Sequence, residues 1–172
     1  MVIVSTHPGK PLASTVICHA LYKALASPTD PAILATGMPN ACNLCHLDKS
    51  LAWTQNALQK MWGQRVALAP SLKKQFGEQL DRPVGEAWLT HPVPLVRLVA
   101  AGAYARSKWG AEKLPQLIAS LNETNAYNRF GFLQNIEKIL GHRISENEYN
   151  ITGQPQLRAQ QVQGLLAKYS PR

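Results

Sequence analysis

A chain of 172 residues and 18.9 kDa has room for one ordinary domain, or a small domain with an appendage, which excludes a large multidomain enzyme. With 45% hydrophobic and 16% charged residues and a mean hydropathy of −0.17, its apolar surface is sufficient to offset the entropy of ordering, so disorder throughout is excluded. The 18 Lys+Arg against 10 Asp+Glu give a net charge of +8 and favour an acidic partner. These basic residues are scattered, without the run of about five or six that marks a nucleic-acid arm, so no nucleic-acid partner is expected.

Met1 to Lys10 lack helical periodicity and contain the turn signal His7-Pro8-Gly9, which predicts an extended arm. Val2-Ile3-Val4 is too short for the apolar core of an export signal, and no stretch approaches the roughly 20 apolar residues of a spanning helix. Pro11 to Ala26 predicts a helix with Ile17, Leu21, Ala24 and Leu25 on one side and His19 almost opposite. Asp30 is then a good N-cap and Pro31 a first-turn residue for a short helix ending at Gly37. Further on, Asp48 or Ser50 can cap a helix from Leu51 to Trp62, with Gly63 as its left-handed stop.

The remainder stays helical in pattern, with breaks at Pro70, Arg82-Pro83, His91-Pro92, Gly110 and Gly141, and the fold class expected is all-α. Leu89, Arg97 and Leu98 recur 32 positions later as Leu121, Arg129 and Phe130, a spacing suited to helical-hairpin repeats. From Pro155, Leu157, Val162, Leu165 and Leu166 predict a last amphipathic helix that either caps the stack or docks on a partner.

The chemistry lies between these helices. Cys42, Cys45 and His46 form C-N-L-C-H, the attachment signature of a c-type haem. Two thiols separated by two residues sit one helical turn apart, so both can add to the two vinyl groups along one edge of a porphyrin. The imidazole that follows can take the iron as proximal ligand. Zinc is the rival, with Cys18 or His19 completing a set with Cys42 and Cys45, although ligands on adjacent residues suit a tetrahedral site poorly. A redox-active dithiol is the third reading.

The stretch from Gly37 to Gly63 resembles the multihaem c-type cytochromes that end in HEAT-like helical repeats. Pro39, Asn40, Ala41, Cys42, Cys45, His46, Asp48, Lys49, Trp53, Trp62 and Gly63 carry the resemblance, with one C-x-x-C-H motif where those proteins carry several. It implies a haem c-binding segment over residues 1–63 and a HEAT-like domain over 64–172, with units Val84 to Trp109 and Gly110 to Gly141. It also implies a second histidine as distal iron ligand, for which His19 on its predicted helix is the first candidate and His7 the alternative; Met38 and Met61 are the thioether options.

A periplasmic or extracellular setting follows from the same resemblance, and so do redox partner proteins, other cytochromes or a membrane-associated redox complex as partners. The function expected is an electron carrier or electron-transfer subunit with one haem c, and no enzyme. The alternatives are a structural subunit of a larger redox complex, a haem sensor or enzyme, and a zinc-binding helical protein. His91 and His142 read as structural, Cys18 as a buried helix residue, Trp53, Met61 and Trp62 as pocket wall and core, and Arg97 and Arg129 as capping or pairing between helices.

Overall fold

A computed structural model of the chain describes residues 2–5, 13–16 and 31–170. From Pro31 onward every regular element described is helical, as the all-α expectation requires. At the N-terminal end, β1 (Val2–Ser5) pairs antiparallel with β2 (Ala13–Val16), Val2 opposite Val16 and Ser5 opposite Ala13. β1 lies within the expected extended arm. β2 corrects the helix expected from Pro11, because β-branched Thr15 and Val16 face an equally β-branched run, Val2-Ile3-Val4, and the two supply each other's ladder. The rest of that expected helix, including Cys18 and His19, lies outside the described residues, as do the turn at His7 and the cap at Asp30.

The helices are α1 (Pro31–Ala35), α2 (Ala41–Cys45), α3 (Leu51–Trp62), α4 (Lys73–Phe76), α5 (Val84–Leu89), α6 (Pro94–Tyr104), α7 (Gly110–Ala119), α8 (Ala126–Leu140) and α9 (Pro155–Tyr169). By contacts the chain divides into two compact units, Met1–Thr90 and His91–Arg172. Residues 64–90 therefore share a unit with the C-x-x-C-H segment, across the 63/64 division suggested by the sequence.

In the first unit the core is built from Leu34, Leu47, Leu51, Leu58, Phe76, Val84 and Trp88. α3 begins and ends at the residues predicted: the Ser50 hydroxyl accepts the Trp53 N–H at 3.1 Å, and Gly63 closes the helix at φ 70°. The adjoining Ala52 N–H donates to the Leu80 carbonyl at 3.3 Å, so a second orphan donor of the first turn is satisfied from a distant loop. Gly37 ends the turn after α1 at φ 70°; a Cβ there would meet Phe76 Cε2 at 2.7 Å and Leu72 Cδ2 at 2.8 Å. Its carbonyl accepts the indole N–H of buried Trp88 at 2.8 Å.

In the second unit α6 packs on α8, and α7 on both α8 and α9. The closeness of α6 and α8 depends on Gly131, where a Cβ would meet Leu98 Cδ1 at 2.7 Å. The 32-residue echo has a geometric counterpart. Arg97 and Arg129 each occupy the fourth residue of their helix and reach back to the segment before it. Arg97 Nη1 donates to the carbonyls of His91 (2.6 Å) and Pro92 (3.2 Å), and Arg129 Nη1 to those of Glu123 (2.8 Å) and Thr124 (2.7 Å). In α9, Arg158 holds the same helix position and donates to the Gly153 carbonyl, a third instance at a spacing of 29. The last helix packs within its own unit through buried Val162 and Leu165 while Leu157 stays exposed.

Candidate functional site

The segment Gly37–Lys49 places its chemistry on a single turn of helix. Buried Asn40 is in extended conformation at φ −124° and ψ 160°, and its Oδ1 accepts the Asn43 N–H at 3.0 Å, the pattern of an N-cap. Cys42 and Cys45 then stand at i and i+3 of α2, separated by about 4.5 Å of axial rise and on one side of the turn. Cys42 is half-buried and Cys45 exposed; both are free thiols. Burial, and secondarily the neighbouring Cys45, push the Cys42 thiol up, so it is held in its protonated form around neutral pH.

His46 caps the C-terminal end of the turn at φ −111° and ψ 59°, with its N–H donating to the Cys42 carbonyl at 3.0 Å. Its exposed ring lies 4.9 Å from the Trp53 ring, centroid to centroid, at an interplanar angle of 50°. Trp53 thus stands beside the imidazole as an apolar flank. The next carboxylate, Asp48, pairs with Lys49 at 3.0 Å, and that ammonium holds its carboxyl below the usual range.

Beneath the thiols the turn is fastened by Asn40, one of the residues that carry the resemblance, together with Asn43 and Thr54. Asn43 is fully buried, and its Oδ1 accepts from Asn40 Nδ2 at 2.9 Å and from the Thr54 hydroxyl at 2.7 Å. The network fixes the amide orientations: Asn40 Oδ1 is taken by a backbone N–H, so its Nδ2 must face the Asn43 oxygen. Asn43 Nδ2 is then a buried donor without a partner among the described residues. Past the motif, the Leu47 and Lys49 carbonyls accept the Gly85 and Val84 N–H groups at 3.1 and 3.0 Å, tying the segment to the first turn of α5. Only Asn40 carried a sequence signal, as an Asn before a helical turn; Asn43 and Thr54 have none, since their roles depend on a contact between two helices.

The two thiols and the imidazole, presented from one turn with the Asn43 side packed inward, fit covalent haem attachment with proximal ligation. Among the described residues no group of three or more His, Cys, Asp or Glu side chains is arranged to hold a metal ion. The expected distal ligands, His19 and His7, and the alternative zinc ligand Cys18 lie outside the described residues. Met38 is half-buried and Met61 exposed.

The remaining histidines are engaged elsewhere. His91 is buried, with Nδ1 accepting the Val93 N–H at 3.0 Å. His142 is exposed just past the C-terminal end of α8, its Nδ1 3.0 Å from the Arg143 carbonyl. No described helix is long and apolar enough to cross a membrane. Compared with known proteins, the chain matches no protein-family model, no curated protein and no solved structure.

Proposed function

We propose that this protein is a c-type cytochrome that carries one haem on Cys42 and Cys45 and transfers single electrons, either as a carrier or as an electron-transfer subunit of a redox complex, and that it is not an enzyme. The observation that supports the reading is the presentation of both thiols on one helical turn with the His46 imidazole exposed directly after it. Cys42 and Cys45 hold the group through thioethers, and His46 supplies the proximal nitrogen. Trp53 flanks that nitrogen's ring on one side, an apolar neighbour that bears on the potential. His19, or alternatively His7, supplies the distal nitrogen. When bound, haem c contributes a one-electron Fe(III)/Fe(II) couple, and bis-histidine ligation sets it lower than His/Met would.

The second part of the reading is architectural. The helices after the motif form HEAT-like hairpins, a reading supported by the equivalent guanidinium contacts of Arg97 and Arg129 at the 32-residue offset. Such a stack offers a docking surface for redox partner proteins, in keeping with a periplasmic or extracellular setting.

A pyridine haemochrome spectrum with an intact mass tests the assignment. The expected result is one haem per chain that resists acid acetone in the native sequence and becomes extractable, or is lost, when Cys42 and Cys45 are both replaced by Ala. A colourless protein, or zinc bound in place of haem, overturns it. With the pigment in hand, His19→Ala is expected to turn a low-spin spectrum high-spin; an unchanged spectrum removes His19 as the distal ligand and leaves His7, Met38 and Met61.

A further inference from the structure

We propose that the buried Asn40, Asn43 and Thr54 network builds the two-thiol turn in the unloaded chain, so that Cys42 and Cys45 meet haem already one helical turn apart. The inference rests on the attachment reading above and names positioning residues that this reading does not require. Asn43 occupies a variable position of C-x-x-C-H, where attachment asks nothing of the side chain. Yet it is fully buried, and its one oxygen accepts two hydrogen bonds, from Asn40 at 2.9 Å and from Thr54 at 2.7 Å.

A helix of five residues lies far below the length at which propagation offsets the cost of nucleation, so α2 needs external support. Thr54 brings that support from α3, a helix of twelve residues whose own start is capped by Ser50. At the other end, the Leu47 and Lys49 carbonyls are held by the first turn of α5. Every one of these partners is a protein group of the first unit, so the turn has hydrogen-bond support that does not come from the ring it receives. An apolar residue at position 43 would leave the Asn40 amide without its acceptor and the Thr54 hydroxyl with only the longer bond to the Ser50 carbonyl at 3.3 Å, which explains an amide here even with its Nδ2 unpartnered among the described residues.

The consequence for attachment is geometric. In each addition a thiol S–H crosses a vinyl C=C: sulfur bonds to the vinyl carbon next to the ring, the thiol hydrogen ends on the outer carbon, and no electron is gained or lost. After the first thioether forms, the second is intramolecular, and its rate depends on how closely the other thiol is held to its vinyl group. A turn built in advance favours double attachment, whereas a loosened turn leaves chains with one thioether and one free thiol.

The test compares the full-length native protein with Thr54→Val, which keeps the shape and removes the hydroxyl, and Thr54→Ser, which restores it. In the unloaded chain, hydrogen exchange at the Asn43, Leu44 and His46 amides is expected to quicken by about tenfold in Thr54→Val and to return toward native in Thr54→Ser, with Leu58 in α3 little changed. After expression with a c-type attachment system, alkylation of the loaded chains counts free thiols; Thr54→Val is expected to expose one from Cys42 or Cys45 in a sizeable fraction, and Thr54→Ser is not. Native exchange and complete double attachment in Thr54→Val overturn the inference. A native chain that takes up no haem overturns the attachment reading instead, and exchange in the unloaded chain still decides whether the network forms the turn.

Discussion

His91 is buried at the start of the second unit, and its Nδ1 accepts the N–H of Val93, the residue that caps α6. Only the neutral ring, carrying its proton on Nε2, can accept there. Burial lowers its pKa below the ordinary 6.5, and the nearby Arg97 charge acts in the same direction. The folded state therefore binds the proton less readily than the unfolded chain. The stability this provides is present above about pH 6.5 and is lost as the pH falls below it. Urea unfolding at a series of pH values is expected to show this decline as the pH falls below about 6.5. In His91→Gln the same decline is expected to be visibly shallower; an identical decline would assign the pH dependence to other groups.

At the scale of elements, the arginine at the fourth residue of α6 and of α8 joins a helix to the chain before it, but the two differ in burial. Arg129 is 5% exposed and also donates from Nε and Nη2 to the Ile151 carbonyl, at 3.0 and 2.8 Å. Arg97 is more open and shares its charge with the Glu123 carboxylate, while the carbonyl of that same Glu123 accepts from Arg129. Replacing Arg129 by Met removes the partner of the Glu123, Thr124 and Ile151 carbonyls in part-buried contacts and is expected to cost about 2–5 kcal/mol. Arg97→Met is expected to cost about 1–2 kcal/mol, since water can reach the groups it leaves. Denaturant midpoints at unchanged slope measure both; equal losses would mean that burial does not set the difference.

For the whole molecule, the surplus of positive charge is spread along the chain with no dense run. Such a surface attracts acidic partners at long range and is screened by salt, with a Debye length of about 8 Å at physiological ionic strength. If the chain transfers electrons as proposed, its exchange with an acidic redox protein is expected to slow several-fold between about 20 and 200 mM salt. A rate independent of salt in stopped-flow measurements would remove charge steering from the account of its docking.

What the sequence determined by itself is local. The limits of α3 with its Ser50 cap and Gly63 stop, and the break at Gly141, can be read within a few residues, because caps and left-handed turns are decided by neighbours in the chain. Periodicity also placed the two equivalent arginines, though not the carbonyls they hold. Only the tertiary structure decided that Thr15 and Val16 extend rather than coil, that Gly37 faces Phe76 and the indole of Trp88, and that Asn43 is sealed inward under two thiols. Each of these depends on a partner at least 11 positions away, and burial of a polar side chain is settled by that partner rather than by its own neighbours.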